Sequence, residues 1–312
     1  MRFDFRTSRS ARAWAAGASL VALAALAGCG GEPHGAPVRV IIPQRSSFSA
    51  AADSLARAGI VGQKGLFRLY AKLTGRDRRV KPGTYLLQRG TSWGDVLAAL
   101  TEGKGMIATV TIPEGWALAQ IVPQLAKKLQ VPEDSVAAAV RDTAQLHRLD
   151  VPTPTLEGYL FPSTYGFPPG TTARQAVAEM VRTFERQWKP EWTPRLDTIL
   201  MSRHDVLTLA SIVEREARRP EERPAIAGVY VNRLRRGMRL EADPTVQYAR
   251  GQHTSRVLYK DLEIDSKYNT YRYAGLPPGP IGSPGVASIQ AALYPANVPY
   301  LFFSAHPDGH HE

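Results

Sequence analysis

From Val38 onward the chain repeats one pattern: a short β-like run, a turn, then apolar positions at helical spacing. It occurs in "VRVIIPQRSSFSAAADSLARAG", in "GTYLLQRGTSWGDVLAALTEG" and in "ATVTIPEGWALAQIVPQLAKKL". In the first, Ser46 or Ser47 can cap a helix whose apolar side carries Ala51, Leu55 and Ala58; in the second, Thr91 or Ser92 precedes one carrying Val96, Leu97 and Leu100. A serine or threonine oxygen at that point accepts from the free N–H groups of the first turn, so each helix has a start signal as well as a face. Between them "KGLFRLYAKLTG" predicts another helix, with Leu66, Leu69, Tyr70 and Leu73 on one side.

Beyond the third unit the period is helical. Helices are expected at 133–141, at about 172–187 and at about 203–218, the last followed by the turn "RRPEERP" and a helix holding "IAGVYVNRLRRG". Pro and Gly then concentrate through "MRLEADPTVQY" and "YNTYRYAGLPPGPIGSPGVASIQAALYPANVPYLFF", which reads as loops able to wall a cleft. The expected fold class is α+β. A small α/β module at 38–107 is followed at 108–312 by a mainly helical domain with a loop-rich, short-stranded C-terminal part.

The helix at 203–218 contains "LASIVEREA", where Glu214 and Glu216 stand among apolar neighbours. Advancing ~100° per residue gathers His204, Thr208, Ser211, Arg215 and Arg218 in one polar arc. Both glutamates fall outside that arc, on opposite margins about 160° apart, so they do not enter one cleft together. A carboxylate in apolar surroundings gains proton affinity and can serve as a general acid. The structural alternative is an ion pair, Glu214 with Arg218 or Glu216 with Arg218 or Arg219.

The N-terminus changes the picture of location. Arg2, Arg6, Arg9 and Arg12 precede "AWAAGASLVALAALAGC", the order of a charged and then an apolar region in an export signal. The single cysteine, Cys29, ends "LAGC", which resembles the lipobox of bacterial lipoproteins. A lipid anchor on Cys29 is favoured over an uncut membrane helix, since Ala13–Cys29 is at the short limit of the ~17–25 residues a span requires. Residues 1–29 are thus read as signal and anchor, and 30–37 ("GGEPHGAP") as a tether. Either anchor leaves the remainder outside the cytoplasm on the cell (inner) membrane. The net charge of +11 suits anionic partners, but the basic residues are scattered and no nucleic-acid motif accompanies them, so nucleic acid is not expected. Neither a cofactor fingerprint nor metal-ligand spacing is present, the terminal His306, His310 and His311 included.

Six segments in order, "TIPEGW", "LEGYLFPSTY", "LASIVEREA", "IAGVYVNRLRRGMRLEADPTVQY", "YNTYRYAGLPPGPI" and "LYPANVPYLFF", resemble the endolytic murein transglycosylase family, the YceG-like proteins. The strand, "RGTSW" turn and helix of the second unit resemble the glycan-binding LysM module. The resemblance implies cleavage of the β-1,4 bond between N-acetylmuramic acid and N-acetylglucosamine in nascent peptidoglycan, with a 1,6-anhydromuramyl end and release of the growing strand from its synthase. It maps the catalytic acid onto Glu214 and leaves Glu216 a structural or supporting role. Implied substrate-contacting residues are Glu157, Tyr159, Tyr165, Asn232, Arg233, Asp243, Asn269 and Tyr271. Asp243 is equally placed to begin a helix before Pro244, the tyrosines to pack in the core, and Arg233 to pair with Glu214 or Asp243. Peptidoglycan strands, the membrane and a peptidoglycan synthase are the implied partners, and no cofactor is implied. Two competing readings are a non-catalytic peptidoglycan-binding lipoprotein and a lysozyme-like hydrolase using Asp243 as second carboxylate.

Overall fold

The computed structural model describes residues 32–251 and 257–304. The export signal, Cys29 and the terminal histidines lie outside the described residues. Two compact units result: one comprises the chain up to Thr109 together with Gly166–Pro169, the other Val110–Tyr165 and the chain from Gly170.

The first unit runs β1 (His34–Ile42), α1 (Phe48–Arg57), α2 (Lys64–Leu73), β2 (Gly83–Arg89), α3 (Trp93–Glu102) and β3 (Met106–Thr111), and β4 (Thr164–Phe167) completes a sheet of order β1-β2-β3-β4. β1 and β2 are antiparallel, with Val40 opposite Tyr85. Residues 34–37, expected as tether, are already strand, and the register slips between His34 and Val38. Pro37 sits in that slip and has no N–H for the ladder. The caps fall where the pattern puts them: Ser47 Oγ accepts from Ala50 N at 3.3 Å, and Ser92 Oγ from Asp95 N at 3.2 Å.

α2 forms as expected but turns a different side inward. Phe67, Tyr70 and Ala71 are buried, whereas Leu66, Leu69 and Leu73 are 45%, 50% and 58% exposed. Phe67 stacks on Phe48 and meets Trp93 edge-on, each at 5.8 Å between ring centroids, and this aromatic contact outweighs the burial of three leucines.

In the second unit follow α4 (Leu118–Leu129), α5 (Glu133–Ala139), α6 (Thr143–Arg148), α7 (Ala173–Gln187), α8 (Trp192–Ile199), α9 (Arg203–Glu216), α10 (Arg223–Arg235), α11 (Asp243–Ala249) and α12 (Val286–Leu293). Thr172 and Gln175 form a capping box at the start of α7, as Ser202 and Asp205 do for α9. α9 is the centre: His204 and every residue from Val206 to Val213 are buried, with α10, α11 and α12 packed around it.

The part of the polar arc formed by His204, Thr208 and Ser211 is therefore dry, while Arg218 beyond the end of α9 is exposed. Thr208 donates to His204 O at 2.8 Å, and Ser211 donates to Thr208 O at 2.7 Å while accepting from Ile281 N at 3.0 Å. The C-terminal part is loop-rich as expected but lacks the short strands. Among its described residues there is no strand after β4, and Pro- and Gly-rich flanks conceal a buried helix, α12.

Candidate active site

Glu214 lies near the end of α9 with only 5% of its side chain exposed. Its Oε1 accepts from Arg223 Nη2 at 2.9 Å and its Oε2 from the backbone N–H of Gly285 at 2.9 Å. Arg223, at the start of α10 and 12% exposed, donates through Nε to Ser288 Oγ at 2.9 Å, so one guanidinium ties α9, α10 and α12 together. The partner is neither Arg218 nor Arg219, because the chain turns after Glu216 and brings the first residue of α10 back over the glutamate.

Facing this group is the loop after β3, "PEGW". Gly115 N donates to Ser283 O and Ser283 N to Trp116 O, both at 2.8 Å, zipping the loop to the 282–285 segment. Gly115 has φ +76°, a left-handed turn that seats its Cα side over Glu214. A Cβ on Gly282 would stand 2.5 Å from Gly115 O, so only glycine permits the approach. The loop delivers Glu114, which reaches solvent yet rests against Gly285: a methyl there would land on its Oε1. Burial and the charge of Glu214 raise Glu114 above the ordinary carboxylate range, with Arg223 opposing. Glu114 and Glu214 thus converge on one glycine, and the charge of Arg223, hydrogen-bonded to Glu214, also acts on Glu114.

Two further features flank α9. A cavity of about 660 Å³ is lined by Leu118, Gln120, Arg141, Glu157, Arg215, Gln247 and Tyr248. Glu157 is buried there and accepts from Leu118 N at 3.1 Å and from Tyr248 Oη at 3.1 Å. Burial pushes its pKa up to about 7 against those hydrogen bonds and the charge of Arg215. A smaller pocket of about 220 Å³ gathers Glu216, Tyr230, Arg233, Glu241, Asp243 and Tyr271. Within it Tyr230 donates to Glu216 Oε1 at 3.0 Å and Tyr271 to Asp243 Oδ1 at 2.7 Å. Asp243 is the first residue of α11, and burial, then the Asp243 contact, raises the Tyr271 phenol.

The expected substrate residues are thus divided. Arg233, Asp243 and Tyr271 meet in one pocket and Glu157 lines another. Arg233 pairs with Glu241 at 3.2 Å, not with Glu214 or Asp243, and donates to the carbonyls of Leu240 and Leu301 at 2.9 Å and 2.6 Å. The others line neither pocket. Tyr159 is buried against Phe184 and His204, bonding His204 Nδ1 at 3.0 Å, and Tyr165 donates to Phe161 O at 2.5 Å, so both rings are core rather than sugar platforms. Asn269 is buried, donating to Leu262 O and Ile264 O, and Asn232 donates to Val298 O and Tyr300 O; both amides hold backbone. Conversely, Glu114, Arg223 and Gly285 carry no periodic signature. The trace that points to Glu114 is an acid held between Pro113 and Gly115 in a quoted motif.

A sequence profile of the YceG-like family matches residues 40–312. The chain belongs to the YceG-like family. It is 36% identical over 288 residues to an endolytic murein transglycosylase of Bacillus subtilis, covering 87% of this chain and 79% of that protein. It is 31% identical over 299 residues to an endolytic murein transglycosylase of Streptococcus pneumoniae, covering 86% of this chain; there it spans about half of the relative, 54%. The 2.6 Å crystal structure of a YceG-like protein from Listeria monocytogenes superposes with TM-score 0.65 at 34% identity, covering 88% of this chain and 95% of that one. The family's α+β architecture is the one described above. Among the described residues no helix is long and apolar enough to cross a membrane, and no group of three or more His, Cys, Asp or Glu could hold a metal ion.

Proposed function

We propose that this chain is a lytic transglycosylase that cuts inside peptidoglycan glycan strands, with Glu214 as its acid and base. The observation that carries the reading is the placement of Glu214. This one carboxylate is withdrawn from solvent on the central helix of the unit, under a loop zipped in place by glycines, in a chain matched to the family over most of its length. In the proposed reaction Glu214 protonates the bridging oxygen between N-acetylmuramic acid and N-acetylglucosamine as positive charge develops at the anomeric carbon. The muramyl C6 hydroxyl then bonds to that carbon and returns its proton to Glu214, giving a 1,6-anhydro end. The nucleophile is part of the substrate, so proximity supplies what a second carboxylate and a water supply in a hydrolase.

Release of the anhydro end terminates strand growth, which makes a peptidoglycan synthase the natural partner. In this reading the first unit, LysM-like in sequence, steadies the glycan, and the enzyme works outside the cytoplasm, held at the membrane through Cys29. A hydrolase that uses Asp243 is disfavoured by one placement. Asp243, its candidate second carboxylate, sits with Glu216 and Tyr271 in a pocket whose walls do not include Glu214.

The test is digestion of purified glycan strands with products weighed by mass spectrometry. Muropeptides lighter by one water than reducing-end fragments, lost in Glu214→Gln, are expected. Wild-type protein that binds strands without cutting them points instead to a non-catalytic binder. Reducing ends point to a hydrolase.

A further inference from the structure

The contacts of Glu214 pose a chemical problem that the reaction above must solve. Each of its oxygens accepts one hydrogen bond, from a guanidinium and from a backbone N–H, both at 2.9 Å. Donors of that kind favour the ionised carboxylate. A general acid must carry the proton it gives, so what offsets the charge of Arg223 beside it matters to the reaction.

The charged neighbours are few enough to name. From α10 comes Arg223, from the loop after β3 comes Glu114, and one step along α9 is Arg215, whose Cγ lies near Gly115 and whose charge is directed to Glu157 and Glu216. α12 and the segment before it contribute uncharged groups, Ser288 Oγ and Gly285 N–H. Arg223 is hydrogen-bonded to Glu214 and its charge acts on Glu114 as well, and the second negative charge close to Glu214 offsets that of the cation. The two acids meet at Gly285, where a side chain would displace Glu114. Glu114 is also the solvent-reaching member of the pair.

We propose that Glu114 is a positioning residue for the reaction, forming with Glu214 and Arg223 a set of two carboxylates and one guanidinium in which the charge of Glu114 offsets that of Arg223 and so keeps Glu214 able to donate. This rests on the reading of Glu214 as acid and base. The proton passes from Glu214 to the leaving sugar oxygen and is replaced by that of the C6 hydroxyl, so nothing is consumed.

The experiment is the pH dependence of glycan-strand cleavage by the full chain, followed as anhydromuramyl product. The alkaline limb reports loss of the donated proton. Removing a like charge lowers proton affinity and removing the cation raises it. Glu114→Gln is therefore expected to shift the alkaline limb down by about a unit. Arg223→Gln shifts it up, and Glu114→Asp, which keeps the charge, restores most of the wild-type profile. Shifts of opposite sign are not produced by damage to the fold, and strand binding by each variant serves as a folding control. An unmoved limb in Glu114→Gln, with Glu214→Gln inactive, overturns the role of Glu114 and leaves the reaction standing. Product formed by Glu214→Gln overturns the reaction and this role with it.

Discussion

Replacing Glu157 by glutamine should change how stability depends on pH, by an amount the structure fixes. The carboxyl is buried at the wall of the 660 Å³ cavity, and desolvation raises its pKa from 4.5 to about 7. Folding therefore favours the protonated form. Below about pH 4.5 the group is protonated in both the folded and unfolded chain and adds no pH dependence. Between about 4.5 and about 7 the unfolded chain has released the proton while the folded chain retains it, so stability falls as pH rises; above about 7 the slope vanishes. At ~1.36 kcal/mol per unit, the wild type loses about 3 kcal/mol over this window. Glutamine cannot ionise, so the Glu157→Gln stability curve should run parallel to the wild type at low pH and rise above it by about 3 kcal/mol by neutrality. Urea unfolding of both proteins from about pH 4 to about pH 8 measures the difference directly, other titrating groups cancelling. A difference that stays constant with pH would refute the reasoning.

The glycines around Glu214 and α10 make further predictions. Gly285 has φ −77°, which any residue tolerates, but a methyl there meets the Glu114 carboxyl, the free end of a flexible side chain. Gly285→Ala should fold with a melting temperature near wild type and lose at least about tenfold in strand cleavage as Glu114 is driven aside; full activity would show that the Glu114 contact is idle. Gly228, inside α10, is different: a methyl would stand 2.5 Å from Ala296 O and 2.9 Å from Val298 Cγ2. Backbone cannot swing away, so Gly228→Ala should destabilise by about 1–3 kcal/mol in thermal or urea unfolding despite alanine's better helix propensity, and a stabilised variant would contradict the packing.

What could be read along the chain was what local chemistry decides. Ser47, Ser92 and Thr172 mark their helices because a capping oxygen acts within three residues of its own position. The opposite margins of Glu214 and Glu216 follow from helix geometry, and the structure separates them accordingly, one to Arg223 and Gly285, the other to Tyr230. What could not be read depends on contacts between distant segments. Which side of α2 turns inward was decided by Phe48 and Trp93, remote in sequence from Phe67. Tyr159 and Asn269 belong to motifs that resemble the family's, yet their surroundings make them core members, and no local pattern distinguishes a buried tyrosine from one lining a cleft. Glu114 was hidden for the same reason. Its partners Glu214, Arg223 and Gly285 are each about a hundred residues or more away, and only the fold brings them to one point.

The most direct measurement of the central claim uses heavy-oxygen water. If the muramyl C6 hydroxyl is the nucleophile, strands cut in that solvent acquire no heavy oxygen at the new muramyl end, and the label is absent from every fragment that Glu214 releases. One heavy oxygen per cut at that end would mean that water attacks the anomeric carbon, and the account of a single acid–base glutamate serving an internal nucleophile would be wrong.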